Sequence, residues 1–172
     1  ALVGLLVMLI SALALSIAAY RMTHLPLDPQ ILRFIQSLSA PWVDFLIEPV
    51  IFLGQRHVAV ISVFILAVWL TSARRWQDGV AFMAVLLLDG VVQVIKVSIG
   101  RDRPPEDLLN LVGGVSGPGF PSGHAYHAVV FWGLFLVLVV SRFSNPWLRG
   151  SAIGIVVALI VLTALSRIYL GV

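Results

Sequence analysis

The chain has 172 residues and a formal net charge of +3. Apolar residues make up 60% of it and charged residues 11%, against about 45–50% and about 25% in ordinary soluble domains, so a water-soluble fold of this size is excluded for want of surface charge. Cysteine is absent, which also excludes a disulfide framework and a thiolate metal site. The mean hydropathy of +1.04 fits an all-α integral membrane protein, a polytopic bundle whose helices satisfy their own backbone polar groups in lipid. The ten arginines and the single lysine, Lys96, sit singly or in pairs between apolar runs. A nucleic-acid binder clusters such residues on one face, so nucleic acid is not an expected partner.

Leu2 to Tyr20 carries no charge and at 1.5 Å per residue reaches roughly 28 Å, enough for a first span. No small-residue cleavage pattern follows it, so it reads as a true span and not a signal peptide. A polar connection with Arg21, His24, Pro26, Asp28 and Pro29 leads to Ile31–Leu38, short and amphipathic, expected at the interface. Pro41 to Glu48 mixes Trp42 and Phe45 with Asp44 and Glu48, which suits the headgroup region. The second span runs from about Val50 or Val58 to Thr71, its start blurred by Arg56 and His57. After a short turn, Ser72–Asp78, the third span covers about Val80 to Ile99. A long loop, Gly100–Gly119, precedes a fourth span from about Pro121 to Val140, with proline placed just inside the helix start. A second short turn, Ser141–Gly150, precedes a fifth span from about Ser151 to Leu170. The start at Ala1 and the end at Val172, both inside apolar runs, read as those of a trimmed chain or fragment.

Topology then gathers the polar residues. One loop joins the end of the third span to the start of the fourth, and the fourth and fifth form a hairpin. Lys96, Arg103, His124 and Arg167 therefore approach one membrane face. Each has a plain alternative as a snorkelling side chain, an interfacial anchor or a loop charge. Ionisable groups near membrane depth nevertheless tend to face the bundle interior and to be functional. Three cations and an imidazole make an anion site. Pro121-Ser122-Gly123-His124 adds a helix start, where free N–H groups and the helix dipole favour an anion. Gly123 admits close backbone approach, Ser122 is a donor or a helix cap, and His124 can pass a proton near neutral pH. Asp89, Gln93 and Lys96, spaced i, i+4 and i+7, fall on one face of the third span, expected to point inward with Asp89 pairing a basic group. His127 reads as an interfacial histidine or a support for the site. His24 and His57 read as interfacial. Arg74, Arg75, Arg142 and Arg149 in the short turns place those turns in the cytoplasm and the site outside.

Lys96 to Pro104 reads KVSIGRDRP, that is Lys-x6-Arg-Pro; residues 121–124 read PSGH; Ser166-Arg167 opens Ser-Arg-x5-His-x3-Asp. Together these resemble the motifs of the type 2 phosphatidic acid phosphatase superfamily, in its membrane lipid phosphatase branch, over residues 96–172. The resemblance implies a single integral membrane phosphatase-like domain over 1–172, incomplete at its C-terminus. Five spans are present, and a sixth is expected past Val172 with the third motif's histidine and aspartate. It implies Lys96, Arg103 and Arg167 as phosphate ligands with Ser122 and Gly123, and His124 as the acid for the leaving group. Pro104, Pro121 and Ser166 are structural members of the motifs. It implies a phosphohistidine formed on the histidine beyond Val172, so that the chain as given is inactive, with no metal and no cofactor. The substrate is a lipid phosphate or a polyprenyl diphosphate among the membrane lipids; phosphatidic acid and phosphatidylglycerol phosphate share the same terminal phosphoryl group. The expected site is a bacterial cytoplasmic membrane; oligomeric state is not legible. Two other classes also use these residues. A transporter or proton-coupled channel reads Asp89, Lys96 and His124 as a relay, and a non-catalytic lipid- or anion-binding membrane protein needs no nucleophile.

Overall fold

The structure is a computed structural model that describes residues 14, 16–18, 20–21, 28–38, 40–103 and 117–171. Most of the first expected span, His24, Pro104, Gly113 and Gly114 lie outside the described residues. Every regular element among the described residues is helical: α1 (Asp28–Ser37), α2 (Pro41–Leu53), α3 (Arg56–Ser72), α4 (Trp76–Ile99), α5 (Gly123–Leu138) and α6 (Pro146–Tyr169), with a 3-10 turn at Val140–Arg142. In α4, the stretch from α5 through that 3-10 turn, and α6 the chain has three helical segments long and apolar enough to cross a bilayer, or four if bent α2 and α3 form one span.

The amphipathic segment near residue 31 is helical as expected. Leu32 and Gln36, one turn apart, are its buried positions, and that stripe rests on the end of α6. The second span differs from the sequence reading. Pro41–Leu53 is a continuous helix that begins well before the expected Val50, and it meets α3 at a bend of 61°. Pro41 occupies the first helical turn, where its missing N–H costs nothing. The bend falls at Gly54 and Gln55, the two residues left between the helices.

Two other boundaries move for reasons of capping. Helix α6 begins at Pro146, five residues before the expected Ser151, because Asn145 caps it: its side-chain oxygen accepts from the N–H of Trp147 at 2.9 Å and of Leu148 at 3.2 Å. Asn followed by Pro is a strong start signal, and Arg149 does not interrupt it. Pro121 lies before α5 and not inside it. Ser122 is the cap residue, its hydroxyl accepting from the Ala125 N–H at 3.5 Å, and the Phe120–Pro121 peptide is cis.

Helices α3 and α4 form a tight hairpin. A Cβ at Gly79 would sit 2.5 Å from Thr71 Oγ1 and 2.9 Å from the Ala67 carbonyl oxygen, so only glycine lets the two helices approach this closely. The α3–α4–α5 core is built on Val63, Ala67, Leu70, Phe82, Val85 and Phe131, with the Phe82 and Phe131 rings edge to face at 5.6 Å. Many large apolar side chains face outward, among them Leu87, Val94, Ile65 and Val137. In lipid this is no liability, because the surrounding hydrocarbon is as apolar as they are.

At the end carrying the short turns, Arg75 and Arg142 are not simple loop anchors. Asp78, in the first turn of α4, receives Arg75 Nε at 2.8 Å and lies 3.3 Å from Arg142 Nη2. Both arginines also donate to the Leu138 carbonyl. One carboxylate thus ties the α3–α4 turn to the last turn of α5. Asp78→Ala should leave the part-buried Arg75 and the exposed Arg142 competing for one carbonyl and cost about 2 kcal/mol. The expected result is an apparent melting temperature in detergent roughly 4–8 °C lower; an unchanged midpoint would show the clamp to be incidental.

Candidate functional site

The opposite end of the bundle holds the last turn of α4, the first turn of α5 and the last turn of α6. Lys96 lies in the last turn of α4, which stops at Gly100 in a left-handed conformation (φ 61°), its N–H returning to the Lys96 carbonyl at 3.1 Å. That is a common glycine stop for a helix, and it releases the chain toward Arg103. Arg103 is held from behind: its Nε donates to the Gly117 carbonyl at 3.0 Å. Gly119 packs so closely on it that a Cβ there would lie 3.3 Å from Arg103 Cγ. Arg167 is buried, only 8% exposed, in the last turn of α6. Its Nε donates to the hydroxyl of fully buried Ser166 at 3.3 Å, and that hydroxyl donates to the Thr163 carbonyl at 2.8 Å.

The two arginines share a distinctive state. Arg103 Nη1 and Arg167 Nη2 are both buried without a hydrogen-bond partner among the described residues. A buried polar atom is normally satisfied, and an uncompensated buried charge costs several kcal/mol. The groups are also close enough to act on one another: Arg103 lies in electrostatic range of Lys96 and of Arg167. Burial draws the Arg103 guanidinium below its ordinary value, yet arginine stays charged in proteins. Cations held together with unused donors fit an anion.

His124, the second residue of α5, feels the charges of Arg167, Lys96 and Arg103. The four residues that topology predicted to converge are therefore brought together. Ser122 and Gly123 stand at the start of α5 beside them. A Cβ on Gly123 would meet nothing within 4 Å, so the space alongside its backbone is open. Ser122 uses its oxygen as cap acceptor for the Ala125 N–H. Among the described residues, no three of His, Asp and Glu converge to hold a metal ion.

The face assigned to Asp89, Gln93 and Lys96 needs correction. Val85, Asp89, Val92 and Lys96 are the inward positions of α4, while Gln93 is exposed, lying about 70° off the centre of that stripe at 3.6 residues per turn. Asp89 pairs as expected, and its partner is His127: Nδ1 lies 2.7 Å from Asp89 Oδ2, with the imidazole 12% exposed and stacked on Phe131. His127 is thus an interior residue and not an interfacial one; His57 is exposed. Sequence reasoning missed two further contacts. The Tyr169 hydroxyl donates to Asp44 Oδ1 at 2.8 Å, and Gln36 Nε2 donates to the Tyr169 carbonyl at 3.4 Å, fixing α6 to α1 and α2 just past Arg167. Gly54, at the α2–α3 bend, faces the His124 ring.

Fold and site together define a polytopic helical membrane protein with a cationic, anion-receptive cluster at one end of its bundle. A family model described as the PAP2 superfamily matches residues 78–172, more than half of the chain, and the chain belongs to that superfamily. The fold is similar to the crystal structure of a transmembrane PAP2-type phosphatidylglycerolphosphate phosphatase from Bacillus subtilis. The TM-score is 0.76 at 23% identity, over 95% of this chain and 83% of that one. At this identity the likeness is one of fold. No curated protein matches the chain. The protein is an integral membrane protein with a PAP2-type phosphatase fold.

Proposed function

We propose that the protein is a metal-independent lipid phosphatase of the cytoplasmic membrane of a bacterium, its site facing outward, removing the terminal phosphate of a lipid phosphate or polyprenyl diphosphate. The observation that carries this is the pair of buried guanidinium nitrogens of Arg103 and Arg167, unpartnered among the described residues, beside His124. A guanidinium presents donors in a planar fork matched to phosphate oxygens, and a phosphoryl group satisfies both arginines at once. Lys96 adds a third cation, and the α5 start adds backbone N–H groups near Ser122 and Gly123.

In this reading the attacking imidazole is the one that the family's third motif places beyond Arg167. Its nitrogen bonds to phosphorus as the bond to the lipid oxygen breaks, and His124 gives its proton to that oxygen. Water then attacks the phosphohistidine, returning a proton to His124 and releasing phosphate. Splitting one displacement into two lowers each barrier, and the fixed cations stabilise charge on the transferring group. The polar groups favour this over a proton path, since Lys96, Arg103, His124 and Arg167 meet at one end of the bundle.

The test is phosphate release by the full-length protein in excess chelator. The substrates are phosphatidic acid, phosphatidylglycerol phosphate and a polyprenyl diphosphate. Arg103→Ala should lower kcat/KM by at least about 100-fold on whichever is turned over, and vanadate should inhibit. Release that persists unchanged in Arg103→Ala, or that disappears with chelator, would overturn the proposal.

A further inference from the structure

The bend between α2 and α3 places Gly54 against the ring of His124: a Cβ built on Gly54 would lie 2.6 Å from His124 Cδ2. Glycine at a helix break usually answers a backbone need, a positive φ that other residues resist. Gly54 has no such need. Its φ of −82° and ψ of −7° are right-handed helical values, open to alanine without strain. The other neighbours of that Cβ, the Ile51 and Val50 carbonyl oxygens, stand at 3.5 Å, ordinary contact. What excludes a side chain is therefore the imidazole alone.

We infer that Gly54 is a positioning residue for His124: its bare Cα forms the wall against which the imidazole rests, so the α2–α3 bend sets where that ring meets the leaving oxygen. The inference rests on the proton-donating role proposed for His124. Two features of the site make the wall matter. His124 is the second residue of α5, so its backbone is fixed by the Ser122 cap while its ring can still swing. The cations around it, Lys96, Arg103 and Arg167, repel the protonated ring and give it no anchor. A wall of van der Waals contact at the α2–α3 bend bounds how far the ring can swing. An added methyl at Gly54 must push the ring aside, and a displacement of about 1 Å from reacting geometry costs on the order of 100-fold in rate.

The substitution separates function from stability with unusual clarity. Gly54→Ala keeps a compatible backbone and restricts the unfolded chain, an effect that by itself is mildly stabilising. Catalysis should suffer selectively. A lipid phosphate expels an alkoxide and needs the His124 proton; an aryl phosphate with an acidic phenol expels a stable anion and does not. Gly54→Ala in the full-length protein should therefore lower kcat/KM, which reports the step that expels the leaving group, about 100-fold on the lipid phosphate and less than about 10-fold on p-nitrophenyl phosphate. Gly133→Ala, in the same helix as His124 but with nothing within 4 Å of the added Cβ, should change neither. If Gly54→Ala fails to fold, adding His124→Ala removes the ring that the methyl meets and should restore folding. Equal losses on both substrates, no loss on either, or a double variant that stays unfolded would each overturn the inference. His124→Ala alone tests the underlying role: full lipid phosphatase activity there would remove the proton-donor assignment. The Gly54–His124 contact would still be read from the imidazole NMR resonances of Gly54→Ala.

Discussion

Arg167→Met will abolish lipid phosphate hydrolysis while leaving the protein as stable as the parent, or more so. Arg167→Lys will keep the charge and still lose at least about 100-fold in kcat/KM. The side chain is buried, and its Nη2 has no partner among the described residues. Such a charge is a burden on the fold, and replacing a buried ionic group by an apolar one of similar volume is often neutral or stabilising. The burden is tolerated where the anion that relieves it is the substrate. Lysine lacks both the planar fork and the Nε that donates to Ser166, so it does not reproduce the grip. The checks are thermal unfolding in detergent with and without vanadate, and phosphate release. Vanadate should raise the midpoint of the parent, because a ligand that binds only the native state stabilises it, and should leave Arg167→Met unmoved. A methionine variant several degrees less stable in the absence of anion would mean that the guanidinium holds the fold and not the ligand.

His124→Ala carries the other large effect. Removing a general acid costs about 10²–10⁴-fold, and the loss should scale with the basicity of the departing oxygen. A phosphate monoester, which sheds an alkoxide, should fall near the upper end. A polyprenyl diphosphate sheds a phosphate that needs less help, and should fall less. Comparing the two substrates on one variant measures the proton donation directly. Equal losses would point to His124 as a phosphate ligand and not an acid.

The convergence of Lys96, Arg103, His124 and Arg167 was legible because it follows from parity. One loop and one hairpin leave no other end of the bundle for them. The boundaries of α5 and α6 were legible only in part, since Ser122 and Asn145 set them through caps one or two residues from prolines that draw the eye. The interior role of His127 escaped because helical spacing shows that a residue lies one turn from another, not which neighbour it meets. Its partner, Asp89, sits on a different helix at the depth the packing chooses. Gly54 left no local trace at all. It sits in a stretch whose charges obscured the second span, and its value comes from a ring far along the chain. The bend that brings them together depends on how α2 lies along α6, with Tyr169 and Asp44 joined.

The unequal lengths of the helices have a consequence for the surrounding lipid. Helix α3 has 17 residues, about 26 Å of rise, while α4 and α6 have 24 residues each, about 36 Å. A hydrocarbon layer of about 30 Å cannot match all three. The long helices exceed it and meet it by leaning, whereas α3 reaches a span's length only together with α2 across their bend. Straight helices thus adapt to bilayer thickness by tilt, and the α2–α3 pair by the angle at its break beside Gly54.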